Sequence, residues 1–426
     1  MKIGQLIKLE RQKSNIRQDE LALGICSPSY LSKIENGTAI PGDEVQQLLL
    51  QRLNIPSESV FIHTSPELLI QFKKSFKEVI NQRDKLAAIE LRQDIRSFLA
   101  ENILYPHKVT LLLMETRLQL MSSSDVKENI SLLVPMQGDM SHTQLFHLYI
   151  IQGIIAYKES RFANALYIFT DTYTLTKKHR MEDWEMAELH YVLSLAAISD
   201  YRHILAIDHA QEALSYFNAK MQAVRSIECL LILGNAQKHT GNLNDALLSF
   251  EHAKEIMTTS GFSNYLGMIE HNLGACYSLL KESERALRHF NQSLLENENP
   301  DSQIVTILSL VKEHKKKGDK EQAKTLISKG TSLLNLLTEQ NKKLYSHYFA
   351  IYKALLYDED DLIPTFESAL HYFEVKQNYY RCFVYCNVLA DKLTNTNQFK
   401  LATTFYQKAF DYHLKHRKVQ HWEELM

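Results

Sequence analysis

The stretch Gly24–Gly37, GICSPSYLSKIENG, gathers hydroxyl, ammonium and amide groups within a few turns of chain. Ser27 is a good N-cap, and Pro28 suits the first helical position, where its missing N–H costs nothing. Tyr30, Leu31 and Ile34 make an apolar side, and Asn36-Gly37 stops the helix. The segment is a short capped helix, or a surface shaped for a DNA groove. Catalytic chemistry is thin elsewhere. There is no G-x-x-x-x-G-K-[ST], no HExxH, no G-x-S-x-G and no dinucleotide glycine fingerprint. Cys382 and Cys386 stand i,i+4 on an expected helix, but no second Cys/His pair at ligand spacing completes a zinc site, so they are read as buried packing. EHKKKGDKE, 313–321, reads as a solvated turn between helices, and YDEDD, 357–361, lacks ordered EF-hand spacing. The expectation is no enzyme, no metal and no cofactor.

Bulk properties bound what must position these groups. The chain has 426 residues, more than one typical domain, so two or more units or a repeat array are expected. Apolar residues make up 45%, which excludes wholesale disorder. A net charge of −2 excludes a general polyanion binder, so any nucleic-acid contact is local. The longest apolar runs, such as CLLIL at Cys229–Leu233, are too short to span a membrane. The chain starts directly with an amphipathic segment rather than a leader. Five scattered cysteines fit reduced thiols in a cytoplasm. Few Pro and Gly, with Leu, Ala, Lys, Glu and Gln abundant, predict an all-α fold.

The first sixty residues divide into short helices. IGQLIKLERQK, 3–13, places Ile3, Leu6, Ile7 and Glu10 on one stripe. RQDELALG forms a second helix, with Leu21 and Ala22 inward and Gly24 ending it. The capped octet is the third. Asp43–Leu53 is the fourth, opening with acids near its positive end. Pro56 opens a last short turn that ends near Phe61.

RQDELA, the glycine turn, SPSYLSKIENG and the apolar fourth helix resemble the phage-repressor-like helix-turn-helix family over about residues 2–61. In that family the third helix enters the major groove by its N-terminal end. The resemblance implies that Ser27, Pro28, Ser29 and Lys33 point at base edges, with Tyr30 and Ser32 beside them. Gln18 and Asn36 match phosphate-clamping positions, and Arg11 and Glu35 match a family ion pair joining the first and third helices. Two features depart from the pattern. The Ser or Thr that usually begins the second helix is Arg17, which loses a cap of about 1 kcal/mol. Residues 1–60 also hold seven Lys/Arg against seven Asp/Glu. Non-specific affinity scales with the phosphates neutralised, so one copy binds weakly and two copies on a palindrome are expected.

The rest of the chain repeats. A hinge position, where the two helices of a repeat approach, falls at Phe76, Met114, Gly153, Ser194, Gly234, Gly274, Val311, Ala350 and Ala390. Twelve residues after each come Ala88, Val126, Ala165, Ala206, Ala246, Ala286, Ala323, Leu362 and Ala402. Sixteen after it, five repeats carry Phe169, Phe250, Phe290, Phe366 and Tyr406; nineteen after it come Ala213, Ala253, Ala369 and Ala409. This pattern resembles the tetratricopeptide repeat, although the period is nearer 39 than the usual 34. The domains expected are a DNA-binding domain at 1–61, a linker at 62–67 (IHTSPE, with Pro66 as breaker) and nine helix pairs over 68–426. Residues 68–140 are divergent, and 141–426 form the regular superhelix.

Such arrays stack into a right-handed superhelix whose first helices line a concave groove. In this register the groove-facing polar residues are Tyr191, Glu228, Asn235, His239, His271, Asn272, Lys312, His347, Asn387 and Asp391, with Lys238 adjacent. Asn amides can hold the backbone of an extended peptide without reading its sequence, and Lys or His can hold a terminal carboxylate. Each such residue can equally satisfy a neighbouring helix end or face water.

A helix-turn-helix followed by tetratricopeptide-like repeats resembles the peptide-sensing quorum regulators of Gram-positive bacteria, the group of the NprR-like and PlcR-like regulators and, more distantly, the Rap phosphatases. Nine repeats match the NprR-like members. The resemblance implies a cytoplasmic, DNA-binding transcriptional regulator, a homodimer or higher oligomer on a double-stranded operator, switched by a short signalling peptide in the groove. Two alternatives stay open. One is a Rap-like phosphatase or sequestrant of a response regulator, docking through residues 68–140, where Gln82 is an exposed polar candidate. The other is a protein-binding adaptor whose helix-turn-helix does not bind DNA.

Overall fold

The computed structural model describes residues 3–55, 66–101, 107–122, 125–261, 264–357 and 361–417, and among them every regular element is helical. Two compact units result, Met1–Gly261 and Phe262–Met426.

The first unit opens with α1 (Ile3–Lys13), α2 (Gln18–Ala22), α3 (Pro28–Glu35) and α4 (Asp43–Arg52). Ile7, Leu21, Ala22, Leu31, Ile34, Leu49 and Leu50 form their common core. Gly24 and Gly37 take positive φ at the two turns, which a Cβ would strain. The cap lost at Arg17 is partly replaced, because the Glu20 carboxylate accepts from the Arg17 backbone N–H at 2.9 Å. The turn expected from Pro56 to Phe61, and most of the expected linker, lie outside the described residues. Pro66 does not break a helix. It opens α5 (Pro66–Gln82), at a helix start, where a missing N–H is tolerated.

Five helix pairs complete this unit. They are α5 with α6 (Lys85–Glu101), α7 (Lys108–Met121) with α8 (Lys127–Leu133), and α9 (His142–Lys158) with α10 (Phe162–Thr176). α11 (Asp183–Ser199) with α12 (His203–Ala219), and α13 (Ala223–His239) with α14 (Leu243–Ser260), follow. A 3-10 segment, Val134–Asp139, extends the short α8. The second unit holds α15 (Leu266–Leu279) with α16 (Ser283–Glu296), α17 (Pro300–Lys317) with α18 (Lys320–Leu333), α19 (Glu339–Leu356) with α20 (Leu362–Val375), and α21 (Tyr379–Asn395) with α22 (Phe399–Arg417).

All nine positions twelve residues after the hinge are buried, from Ala88 to Ala402. The aromatic sixteen residues after a glycine hinge covers that glycine. A Cβ on Gly153 would stand 2.2 Å from the Phe169 ring, one on Gly234 2.7 Å from Phe250, and one on Gly274 2.8 Å from Phe290. The small residue is therefore a steric requirement, and each buried Phe contributes about 1.5–3 kcal/mol. Two register expectations fail. Ala350 is exposed, while its neighbours Phe349 and Ile351 are buried. Gly330 in α18 lets the Phe349 ring approach to 2.2 Å from where its Cβ would be, which turns α19 by about one residue. In the last pair Phe405 is the buried aromatic, and Tyr406 faces outward. EHKKKGDKE is also not a loop. It runs from the last turns of α17, where Glu313 is buried and paired with Lys316, through Gly318 in the left-handed region, into α18.

Seven repeats place a left-handed residue seven after the hinge: Arg83, Ser160, Tyr201, Gly241, Lys281, Gly318 and Asn397. The tight turn between paired helices demands that backbone whatever the side chain.

α1 has two buried faces. Ile7 enters the core of α2–α4, and Leu9 enters a second core with Val109, Leu112, Leu113, Leu132 and Met136. Around Leu9, the Lys108 ammonium pairs with Glu10, and Lys8 Nζ donates to the Pro135 carbonyl at 3.4 Å.

Candidate functional site

α3 presents the residues singled out for DNA. The Ser27 hydroxyl accepts from the Tyr30 N–H at 3.1 Å and so closes the helix start. Pro28, Ser29, Lys33 and Asn36 are exposed; Ser32 and Tyr30 are half-buried, and the Tyr30 hydroxyl donates to the Ile40 carbonyl at 3.4 Å. Behind this face Glu35 is buried. Arg11 holds it with two parallel bonds, Nε to Oε1 at 2.7 Å and Nη2 to Oε2 at 2.9 Å, while Arg11 Nη1 donates to the Ile16 carbonyl. Gln18 Nε2 also donates to Glu35, at 2.6 Å, so its amide nitrogen serves the interior. Arg52 donates to the Leu21 and Leu23 carbonyls at the end of α2. With Arg11, Arg52, Lys8 and Lys13 each engaged by the protein, Arg17 and Lys33 are the exposed cations of α1–α4 left unpaired among the described residues. The unpaired surface charge of α1–α4 is small.

The polar residues singled out for a peptide divide between the two units. In the first, Tyr191 and Glu228 belong to an ionic cluster that sequence reasoning did not find. Glu188 accepts from Arg117 Nη2 at 2.7 Å and from Arg225; Glu228 accepts from Arg225 Nη1 at 2.9 Å and from Arg83 Nε at 3.2 Å. Arg225 is fully buried, its guanidinium 4.0 Å from the Tyr191 ring centre and 4.5 Å from that of Phe217. Arg83 approaches Tyr191 too, at 5.0 Å. Burial pulls the Arg83 pKa down, but Glu228 and Glu188 outweigh it and the net shift is upward. Burial pushes the Tyr191 hydroxyl well up, so it stays a neutral donor. Three arginines against two glutamates leave one net positive charge. Removing either carboxylate would strand buried cations, a loss of the kind that costs about 3–5 kcal/mol. The cluster draws on α7, α11, α13 and the turn after α5, so no local spacing announces it. Nearby, Asn235 Nδ2 donates to the Leu231 carbonyl at 2.9 Å, Lys238 Nζ donates to Asn235 Oδ1 at 2.7 Å, and His239 stacks on His203 at 4.7 Å.

In the second unit, Asn272 Nδ2 donates to the Met268 carbonyl at 3.0 Å and Asn387 Nδ2 to that of Phe383 at 2.8 Å. All three asparagines thus rest their amides on the carbonyl one turn back. His271 lies 3.1 Å from the Thr306 hydroxyl, and His347 packs on Tyr372 at 4.7 Å. Lys312 is exposed, and Asp391 accepts from the Tyr406 hydroxyl at 2.6 Å. Cys382 and Cys386 are buried, and burial pushes their thiols up to about 11 and about 12. Both stay protonated at neutral pH. Among the described residues no three His, Cys, Asp or Glu side chains gather as a metal site, and no helix is long and apolar enough to cross a membrane. Gln82 ends α5 exposed, and residues 358–360 of YDEDD lie outside the described residues.

Comparison with known proteins agrees with this organisation. Residues 7–60 match the helix-turn-helix family model HTH_3. Over 407 residues the chain is 28% identical to the transcriptional activator NprA of Geobacillus stearothermophilus, covering 92% of this chain and 98% of that one. It is 20% identical over 286 residues to response regulator aspartate phosphatase I of Bacillus subtilis strain 168, covering 66% of this chain and 72% of that one. Among solved structures, the apo form of the quorum sensor NprR from B. thuringiensis superposes with a TM-score of 0.69 at 18% identity, covering 81% of this chain and 99% of that one. NprR in complex with its cognate peptide NprX gives 0.61 at 19% identity, covering 80% and 98%. The protein is a helix-turn-helix domain carried in front of tetratricopeptide-like helix pairs.

Proposed function

We propose that the protein is a DNA-binding transcriptional regulator whose activity a short signalling peptide switches. The observation that carries this reading is α3, a capped helix presenting Ser29, Lys33 and Asn36 outward from a helix-turn-helix core, in a chain similar along nearly its whole length to a transcriptional activator. Ser27, Pro28, Ser29 and Lys33 face base edges, Tyr30 and Ser32 flank them, and Gln18 and Asn36 clamp phosphates. The candidate peptide-holding amides are Asn235 in the first unit and Asn272 and Asn387 in the second, each on the first helix of its repeat. NprR, which shares the fold, has been solved with a cognate peptide, and this supports a peptide rather than another ligand. The protein acts in the cytoplasm as a homodimer on a palindrome, with two α3 helices roughly 34 Å apart, because one copy offers few free cations.

The test is operator selection with the full chain, followed by Ser29→Ala with Lys33→Ala. The pair should lower specific affinity by about 1–3 kcal/mol and reduce the salt slope by about 1. Unchanged sequence-specific binding would refute the assignment of α3. Similarity to a response regulator aspartate phosphatase supports a second reading, in which residues 68–140 bind a response regulator. Dephosphorylation of a phosphorylated response regulator by the full chain would decide for it.

A further inference from the structure

A cavity of 1170 Å³ lies inside the first unit, walled by α5, α7, α9 and α11, with Gln5 of α1 at its edge. None of the residues assigned to DNA or peptide lines it. We propose that it binds a small organic anion with an apolar body. The volume suits such a ligand, since small-molecule sites run to about 1,000 Å³. The floor is apolar and aromatic: Phe76, Leu113, Met114 and Trp184 are buried there, with the Phe76 and Trp184 rings 6.1 Å apart, edge to face. Three lysines of α5, Lys73, Lys74 and Lys77, line the same cavity together with Arg180. None of these four cations makes an ion pair among the described residues; Lys77 is half-buried, and Lys73, Lys74 and Arg180 are exposed at the mouth.

The carboxylates of the lining are largely engaged. Glu185 is buried, 2.9 Å from His147 Nε2, and Glu182 accepts from the Trp184 indole N–H at 2.9 Å; Asp139 is exposed at the rim. Burial, and then neighbouring positive charge that includes Lys73, hold the His107 imidazole below its ordinary pKa. The lining thus combines cations with buried aromatic and apolar side chains. A carboxylate, sulfonate or phosphate head with a hydrocarbon or ring body satisfies both. A concave, walled space fits a small molecule better than the flat face of a partner protein. Gln5 places the ligand against the DNA-binding domain as well as the helix pairs.

The experiment is fluorescence titration of the full chain with the anionic probe 1-anilinonaphthalene-8-sulfonate, and its displacement by decanoate. One saturable site per chain is expected. Lys73→Glu with Lys74→Glu, both exposed, should weaken binding about tenfold or more while circular dichroism stays unchanged. The neutral analogue N-phenyl-1-naphthylamine should bind more weakly than the sulfonate. Met114→Lys, which puts a buried ammonium in the apolar part of the lining, should weaken binding of the neutral analogue more than that of the sulfonate. No saturable binding, equal affinity in the lysine variant, unchanged binding of both probes in a folded Met114→Lys chain, or tighter binding of the neutral analogue would each overturn the proposal.

Discussion

Gly4→Ala tests how the recognition helix is held. A Cβ on Gly4 would stand 1.7 Å from the Ile34 carbonyl oxygen, 2.6 Å from its carbon and 3.3 Å from the Glu35 nitrogen. All three atoms are α3 backbone, so no rotamer relieves the clash. An ordinary C···O contact is about 3.3–3.6 Å, so α1 and α3 must separate by about 1.6 Å or more. Overpacking of this kind costs about 1–3 kcal/mol, occasionally more. Alanine returns up to about 1 kcal/mol of helix propensity. The separation also stretches both Arg11–Glu35 bonds, now 2.7 and 2.9 Å, and charged hydrogen bonds contribute about 1.5–3 kcal/mol each. A net loss of about 3 kcal/mol is expected, which lowers hydrogen-exchange protection of α3 amides about 100-fold. Mass-spectrometric exchange on the full chain reads this directly, with α15–α22 as the internal control. Protection of α3 within about threefold of wild type would refute the close approach of the two helices.

Two further outcomes follow from single side chains. Lys108 is only 2% exposed, and burial, opposed by Glu10, lowers its pKa from 10.5 to about 8. Between those values the unfolded chain holds a proton that the folded chain does not, so stability rises with pH from about 8 to about 10.5 and is flat below 8. Wild type should gain up to about 3 kcal/mol over Lys108→Met across that window, read from urea midpoints at matched pH; parallel profiles would remove Lys108 as the cause. Lys281 is exposed with φ 64°, so Lys281→Gly should remove about 1 kcal/mol of left-handed strain, less some unfolded-state entropy, and raise the melting temperature. A lower melting temperature would contradict that turn geometry.

The repeat was legible because its constraint is short in sequence. A phenyl ring and the glycine it covers stand sixteen residues apart, and the Ala between them is buried in every regular pair, so composition and spacing carry the packing. The left-handed position seven after the hinge was not legible. It is imposed on backbone and occupied by Arg, Ser, Tyr, Lys and Asn as well as Gly, so no residue type marks it. The arginine cluster was hidden for the opposite reason. Arg83, Arg117, Glu188 and Arg225 each look like surface charges, and only three helices and a turn brought together make them one buried group. Leu9 escaped because an amphipathic stripe assigns a helix one buried face, whereas α1 has two. Of the residues proposed to face DNA, Ser27, Pro28, Ser29, Lys33 and Asn36 are exposed, but nothing local reveals that Gln18 turns its amide nitrogen inward to Glu35.

The two faces of α1 have a mechanical consequence. On one side Gly4 and Arg11 fix α1 against α3, through backbone contact and two charge-assisted bonds. On the other side Leu9, the Glu10–Lys108 pair and the Lys8–Pro135 bond fix α1 against α7 and the segment after α8. No flexible element intervenes between these attachments, since both are made within three turns of one helix. The orientation of α3 is therefore tied to the packing of α7. The same α7 supplies Arg117 to Glu188 on α11 and lines the lysine-walled cavity. A ligand that binds one packing of α5, α7 and α11 more tightly than another shifts the population toward it, and α3 moves with α7. In the proposed dimer on a palindrome this would matter twice. Each α3 would bring few cations, so binding would depend on both helices meeting the groove at once, and a small rotation of each domain would misplace both. On that proposal, a weakly charged α3 carried by α1 would be easier to switch than a strongly basic helix on a loose tether, which would hold phosphates in many orientations.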